Sequence, residues 1–448
     1  MLRILLFLFT SLVFLSSCKK DNNGPGDSAS ECIPFDEEQI VIDQLNEKYT
    51  YPFEGANPLT ADPSLDPLIN YLGDASFVGL GESTHGTKEF YQLKDKIFRR
   101  LVQEKDFKAI IFEIPWGNAM VVNDFVTEGL GSADASVNQT YYWTYDTQEV
   151  RDLAQWIFEY NGSRADEEKI LFVGCDPQGK DFKEERRFVA QLIGKVQPDS
   201  VANVLAHYAN LPNDLPAYSE QSESVHLTNI EGTKKVYDYL VANKQALVAG
   251  SSNKEYEIAL MAASVIQNRE LIYRTNDFGA KRDELMAFYA EWWQRILGQD
   301  SKVAIWAHNY HVADGGDFGG QFIGTFLRQR HSDTYKNVGF SFGTGSAMAF
   351  LAGKNREFRS GVQRQTIPEL QCHTVNQVLN SVEGDQLYLI VEELQNEVFS
   401  YFNSTQSFVQ FGAGFNYTHI DNYIINVKLA KLFDVLIHFD EASASSLK

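Results

Sequence analysis

The chain has 448 residues, 44% of them hydrophobic, and a formal net charge of -21 from 39 basic and 60 acidic side chains. This length and composition allow a sizeable core, either in one large domain with an insertion or in two closely packed domains. A strongly acidic surface repels phosphate backbones, so the charge argues against a nucleic-acid partner.

The first residues carry the pattern of an export signal. Arg3 precedes an apolar stretch at residues 4–15, which has the length found in signal peptides. The sequence LSSC at residues 15–18 resembles a bacterial lipobox. Residues 1–17 are therefore predicted to be a lipoprotein signal peptide and Cys18 to be lipidated. An ordinary signal peptide, in which Cys18 is incidental, is the alternative.

Residues 18–35 are predicted to be the lipidated cysteine followed by a flexible tether, because residues 19–30 are rich in Asp, Asn, Gly and Ser. No other stretch is long and apolar enough to span a bilayer. We therefore expect a domain at residues 36–448 that only a lipid attaches to the cell envelope, on the periplasmic or outer-membrane face. Three further cysteines allow one disulfide, whose pairing the sequence leaves open: Cys32, Cys175 and Cys372.

Short apolar runs that end in a polar or charged residue recur along the domain. There are six, at residues 75–80, 108–112, 170–173, 303–307, 387–391 and 435–439. Such runs, with little alternation, are typical of strands buried on both faces of a parallel sheet. Helical periodicity lies between them, as at residues 90–101, 150–160 and 282–297. The alternation predicts an α/β fold with a mostly parallel central sheet flanked by helices.

Two segments interrupt this alternation. Residues 185–280 are helix-prone, with a polar break at residues 249–254, and we predict a helical insertion there that covers one side of the site. A glycine-rich stretch at residues 315–320 follows the fourth apolar run. It fits a mobile loop near the site and a plain surface loop equally well.

Chemically useful side chains stand where the predicted strands end. Four of the runs are followed by Glu82, Glu113, Asp176 and His308. Ligands of open α/β sheets bind outside the carboxyl ends of the strands, so we expect these side chains to converge if the strands are parallel neighbours.

Two histidine motifs belong to this set. GLGESTHGT at residues 79–87 is a tight turn that places Glu82 three residues before His85, where a carboxylate can fix the tautomer of an imidazole that acts as a general base. A histidine that merely caps the next helix is the alternative. In HNYH, His308 and His311 can face the same way, although a coincidental polar turn explains them equally well.

Several familiar motifs are absent from the sequence. No G-x-S-x-G elbow occurs, so Ser83, between Glu82 and His85, lacks the setting of a hydrolase nucleophile. H-E-x-x-H, the P-loop and a strand–helix G-x-G-x-x-G are also missing.

These motifs resemble those of the erythromycin esterase family. GESTHGTKEF at residues 81–90 is similar to the family's GEATHGT-x-EF signature. Further segments resemble family motifs in the same order: FE at 112–113, WTYDTQEVR at 143–151, GCDPQ at 174–178, RDELM at 282–286, IWAHNYHV at 305–312, GFSFG at 339–343, and residues 433–440. The resemblance covers essentially residues 40–445.

The resemblance implies metal-independent hydrolysis of a macrolide lactone, which would confer macrolide resistance. His85 would be the general base that activates water, and Glu82 and Glu113 would orient and support it. His308 and His311 would help to bind or polarise the ester.

Substrate binding is expected of three further residues, Lys94, Asp176 and Arg282. One position departs from the family pattern, because the antibiotic-inactivating members have arginine where this chain has Lys94. Lysine keeps the charge but loses the bidentate fork, which bears on the choice of substrate more than on hydrolysis.

Two other functions remain open at the sequence level. Two histidines and two glutamates could bind Zn²⁺ or Mn²⁺ in a metal-dependent hydrolase. A surface lipoprotein that binds a ligand without turnover is the third possibility. No cofactor is expected in the favoured function, and the expected partner is a small-molecule ester or macrolide rather than another protein.

Overall fold

The structure is a computed structural model and describes residues 32–179, 181–211, 220–275, 278–316 and 320–448. The predicted signal peptide, Cys18 and the tether up to residue 31 lie outside these residues, as do residues 317–319 of the glycine-rich stretch. Among the helices of the described ranges, none is long and apolar enough to cross a membrane.

The described residues form a central ten-stranded sheet and a separate two-stranded sheet. The strands are β1 (Tyr51–Pro52), β2 (Phe77–Leu80), β3 (Phe107–Pro115), β4 (Leu171–Asp176), β5 (Lys302–Trp306), β6 (Tyr335–Ala352), β7 (Phe358–Ile367), β8 (Gln386–Ile390), β9 (Gln406–Val409), β10 (Gly414–Phe415), β11 (Ile424–Val427) and β12 (Val435–Ala442). β9 and β11 pair with each other. All six predicted strands are present.

The order across the large sheet is β1-β8-β12-β6-β2-β5-β3-β4, with β7 and β10 also paired to β6. From β12 to β4 every neighbouring pair is parallel, whereas β1, β8 and β7 are antiparallel to their neighbours. The predicted α/β fold with a mostly parallel sheet is therefore confirmed.

Helices flank the sheet. They are α1 (Asp36–Gln44), α2 (Asp66–Gly73), α3 (Lys88–Lys105), α4 (Trp116–Glu128), α5 (Ala133–Asn138), α6 (Gln148–Asn161), α7 (Lys183–Val196), α8 (Val201–Leu205), α9 (Glu223–Ala242), α10 (Lys244–Ala249), α11 (Asn253–Thr275), α12 (Ala280–Leu297), α13 (Asn309–Val312), α14 (Ile323–His331), α15 (Val375–Asn380), α16 (Asn396–Asn403) and α17 (Leu429–Leu432).

β3 shows why the central strands lack alternation. Ile110 and Phe112 belong to the apolar layer that includes residues of α3 and α6, whereas Ile111 belongs to the opposite layer with residues of α7, α11 and α12. All three side chains are fully buried. Both faces of the strand are covered, so apolar residues are favoured at consecutive positions.

The predicted insertion is helical. Helices α7 to α11 lie between β4 and β5, and the predicted polar break contains the boundary between α10 and α11. Tyr273, near the end of α11, interacts electrostatically with Asp176 and Arg282, so the insertion borders the strand ends.

A disulfide joins Cys32 to Cys372, two residues that are 340 positions apart in sequence. It ties the segment before α1 to the loop before α15. Cys175 is a buried free thiol.

Replacing both Cys32 and Cys372 by serine is expected to lower the free energy of unfolding by about 2 kcal/mol, because the cross-link restricts the unfolded chain. Chemical denaturation of the two proteins measures this difference. A reductant should destabilise the wild type to the level of the variant and leave the variant unchanged. If the reductant destabilised both proteins equally, the Cys32–Cys372 disulfide would not be the source of the stabilisation.

Candidate active site

The Glu82–His85 turn connects β2 to α3. Gly81, the first residue after β2, packs so closely that a Cβ there would lie 2.7 Å from the carbonyl oxygen of Val338 on β6. Only glycine permits this approach of two backbones. The turn buries the side chain of Glu82 completely and leaves His85 near the protein surface, with 14% of the His85 side chain exposed.

Glu82 is a fully buried carboxylate with three side-chain donors. The Nδ1 of His85 lies 2.7 Å from its Oε1, while Lys94 Nζ and, at 3.1 Å, Trp306 Nε1 donate to its Oε2. A carboxylate at Nδ1 favours the proton on that nitrogen and leaves the lone pair on Nε2. No described residue forms a hydrogen bond with this Nε2. His85 is thus bonded to Glu82 rather than serving only as a helix cap.

Lys94 is fully buried on α3, with its ammonium group 4.2 Å from the centre of the Trp306 ring. Burial lowers the pKa of Lys94 to about 8, and the neighbouring charge of Glu82 offsets part of that effect. Lys94 has no exposed surface and its charge is directed at Glu82, so substrate binding by Lys94 stays a prediction.

A second cluster surrounds Glu113 at the end of β3. Glu113 accepts hydrogen bonds from Arg282 Nη2 at 2.9 Å and from the backbone N–H of His308 at 3.2 Å. Arg282 also binds both carboxylate oxygens of Asp176, at 2.7 and 3.2 Å. Asp176 is fully buried, whereas Arg282 keeps a small exposed fraction, and substrate binding by either residue stays a prediction.

His311 lies between two carboxylates of this second cluster. Its Nδ1 is 2.6 Å from Asp283 Oδ1 and its Nε2 is 3.0 Å from Glu113 Oε1. Burial alone would lower the pKa of His311, but the charges of Asp283 and Glu113 outweigh burial and raise it to about 10. His311 is therefore an imidazolium at neutral pH. The 3.3 Å contact between its Nε2 and Arg282 Nη1 is then one between two cations rather than a hydrogen bond.

Glu113 is ionised in this setting. Burial would raise its pKa, but the charges of His311 and Arg282 hold the pKa well below the usual range of a glutamate. Two cations thus face three carboxylates in the second cluster: Glu113, Asp176 and Asp283.

His308, the third histidine of the site, forms hydrogen bonds to the backbone through both ring nitrogens. Its Nε2–H donates to the carbonyl of Phe411 at 3.2 Å, and its Nδ1 accepts the backbone N–H of Tyr310 at 3.3 Å. Burial, reinforced by the nearby His85, lowers the pKa of His308 well below its usual value. The ring is neutral, both nitrogens are used internally, and its centroid is 4.9 Å from that of His85.

The sheet order explains how the predicted residues come together. β2, β5, β3 and β4 are consecutive parallel strands whose carboxyl ends lie at the same edge of the sheet. Glu82 and His308 come just after β2 and β5, whereas Glu113 and Asp176 lie in the last residues of β3 and β4. Ser83 lies in the same turn, but its hydroxyl is buried and has no hydrogen-bond partner among the described residues.

Two contributors were not predicted: Trp306 and Asp283. Both lie inside segments that resembled family motifs, IWAHNYHV and RDELM, and this was the signal that could have found them. As to metals, no group of three or more His, Cys, Asp or Glu side chains in the described ranges is arranged to bind an ion.

Comparison with known proteins places the chain in a family. The model of the erythromycin esterase family matches residues 102–442, which is more than half of the chain. Erythromycin esterase type II of Escherichia coli is 20% identical over 423 residues, which cover 88% of this chain and 96% of that protein.

Two solved structures share the fold. A succinoglycan biosynthesis protein has a TM-score of 0.79 at 22% identity, covering 92% of this chain and 99% of that one. A mutant of the erythromycin esterase EreC in its open conformation has a TM-score of 0.65 at 17% identity, covering 90% of this chain and 99% of that one. On the family match, the chain belongs to the erythromycin esterase family.

Proposed function

We propose that the protein hydrolyses a carboxylic ester or lactone, with His85 as the general base that activates water. One observation carries this proposal. Among the three clustered histidines, His85 alone has a ring nitrogen without a partner in the described part of the chain, and its other nitrogen is bonded to a buried carboxylate.

The steps follow from this geometry. His85 Nε2 takes a proton from water as the water oxygen attacks the carbonyl carbon. The positive charge that forms on the ring is stabilised by Glu82 at Nδ1, and the charge of Glu82 is in turn balanced by Lys94. The proton on Nε2 then passes to the leaving alkoxide, and His85 returns to its starting state.

We assign the second cluster a positioning role. Glu113 binds the backbone of His308, and His308 in turn packs against His85. The charged atoms of His311 and Arg282 face carboxylates of the protein. Their charges therefore fix the loop after β5, which is a different role from the direct ester contacts first expected of His308 and His311.

The proposed reaction uses no metal, and the carboxylate oxygens that could bind one already have partners within the protein. Glu82 is bonded to three donors, and Glu113 to His308, His311 and Arg282. A metal ion would have to displace these partners. The same occupancy argues against the metal-dependent alternative, and the ordered acid–base pair argues against a binding protein without turnover.

A panel of simple esters and macrolide lactones, assayed with purified protein with and without a chelator, tests this function. Hydrolysis of at least one ester that is insensitive to the chelator is expected. Activity that a chelator abolishes and Zn²⁺ restores would favour the metallohydrolase. Binding without turnover would favour the non-catalytic alternative. Hydrolysis of macrolides would extend the proposal to antibiotic resistance.

Activity should depend on the charge of Lys94. Above a pH of about 8 Lys94 loses its proton, so it no longer balances Glu82, and kcat/KM is expected to fall. Lys94→Arg should keep kcat/KM high to a more alkaline pH, because arginine remains charged. Profiles from pH 6 to 10, corrected for spontaneous hydrolysis, measure this. An identical alkaline decline in both proteins would show that Lys94 does not control it.

We also propose that the protein acts from the cell envelope, attached through lipidated Cys18. The disulfide between Cys32 and Cys372 supports an oxidising compartment. Cys18→Ala is expected to move the protein from the membrane fraction to the soluble fraction of cells. Retention of the variant in the membrane fraction would contradict the lipid anchor.

A further inference from the structure

An apolar cavity of about 90 Å³ lies beside the site. Tyr310 and Phe322 form part of its wall, and Ala313, Val427 and Leu432 line it with aliphatic carbon. Its polar members are engaged: the side chain of Asn309 donates to Gln410 Oε1 at 3.2 Å and to the carbonyl of Phe340. No Asp, Glu, His, Lys or Arg side chain is among the described residues that line the cavity, so a charged group there would be desolvated without a charged partner.

Two chains of contacts connect this cavity to His85. Tyr310 stacks on His308, with ring centroids 5.5 Å apart, and His308 adjoins His85. Along the backbone, Gln410 in the cavity wall is two residues before Gly412, so the Cα atoms of these two residues are at most about 7 Å apart. A Cβ on Gly412 would lie 3.6 Å from His85 Nε2, so the bare glycine borders the reacting nitrogen.

We propose that this cavity binds a short aliphatic group of the ester while the carbonyl carbon lies at His85 Nε2. The proposal rests on the hydrolytic function above and adds the substrate class. An apolar cavity of about 150 Å³ accommodates a benzene molecule, so the present volume fits a group of about three to five carbons. The substrate is thus an ester with a short, uncharged, aliphatic acyl or alcohol part.

Two series of esters distinguish the acyl from the alcohol part. One runs from p-nitrophenyl acetate to hexanoate, and the other from methyl to hexyl acetate. In one of the two series, kcat/KM of the wild type should rise about fourfold with each methylene until the cavity is filled, and then fall.

Two variants change the cavity in opposite directions. Ala313→Val adds carbon to the cavity and should move the optimum to a shorter chain. Val427→Ala removes carbon and should move it to a longer chain. Opposite shifts are not expected from general damage to the fold, so they support the cavity as the binding site. The same chain-length profile in wild type and both variants, or no chain-length preference in either series, would overturn it.

Failure of the hydrolytic function is detected separately. The binding of 3-methyl-1-butanol, which has no ester bond, is measured by saturation-transfer NMR on the wild type and on Ala313→Val. Weaker binding by the variant, without hydrolysis of any ester, would retain the cavity and overturn the hydrolase. Equal binding by both proteins, or none by the wild type, would overturn the cavity whatever the activity.

Discussion

His85→Gln is expected to lower kcat/KM for ester hydrolysis by about one hundred- to ten-thousandfold, the usual contribution of a general base. Glutamine cannot take the proton from water. The fold should persist, because the side chain is partly exposed and Glu82 keeps its bonds to Lys94 and Trp306. Steady-state rates on the best ester of the panel, together with a thermal melt, measure both effects.

His331 offers a matched control. It also pairs with a glutamate, at 2.8 Å from Glu291, and 25% of its side chain is exposed, but it ends α14 at the opposite edge of the sheet. His331→Gln should leave kcat/KM within about twofold of the wild type. Equal losses in both variants, or full activity of His85→Gln, would remove His85 from the mechanism.

His311→Gln is expected to destabilise the protein by on the order of 3–5 kcal/mol at pH 7, because it removes a cation from between buried carboxylates. The neutral amide cannot balance Asp283, whose Oδ1 lies 2.6 Å from His311 in the wild type. Urea denaturation of the two proteins measures the difference.

The same variant should change the pH dependence of stability. The pKa of His311 is about 10 in the folded protein, above its usual value of 6.5, so the folded state binds this proton more tightly than the unfolded chain. The resulting stabilisation is complete below a pH of about 6.5 and is lost as the pH rises through about 10.

The difference in unfolding free energy between wild type and His311→Gln should therefore shrink over that interval. Other groups that titrate there, including Lys94, are common to both proteins and largely cancel. A difference that stays constant from pH 6 to 10 would show that His311 is not the buried imidazolium described here.

The sequence predicted strands where burial on both faces leaves an uninterrupted apolar run. It did not predict β6, the longest strand, because Ser341, Gly343 and Thr344 interrupt the run although the strand is central. The apolar pattern also does not predict whether a strand is parallel or antiparallel to its neighbours. The run at 387–391 looked like the others, yet β8 is antiparallel to β12.

The position of the candidate site was predictable, because parallel strands bring their carboxyl ends to one edge of a sheet. The protonation and hydrogen bonding of the residues in the site were not predictable. Whether a histidine is neutral or charged, and whether one of its ring nitrogens lacks a hydrogen-bond partner, depends on residues remote in sequence, such as Phe411 for His308. The burial of Lys94 was also not predictable, because a lysine on a helix usually lies at the surface unless a buried carboxylate such as Glu82 compensates its charge.

In the proposed mechanism, water bound at His85, rather than a protein side chain, attacks the ester. A single turnover in oxygen-18 water, with enzyme in excess over ester, tests it most directly. Attack by water predicts one labelled oxygen in the acid product and an unchanged protein mass. An unlabelled acid, whose oxygen would come from a carboxylate such as Glu82, or an acylated protein, as expected if Ser83 were the nucleophile, would contradict it.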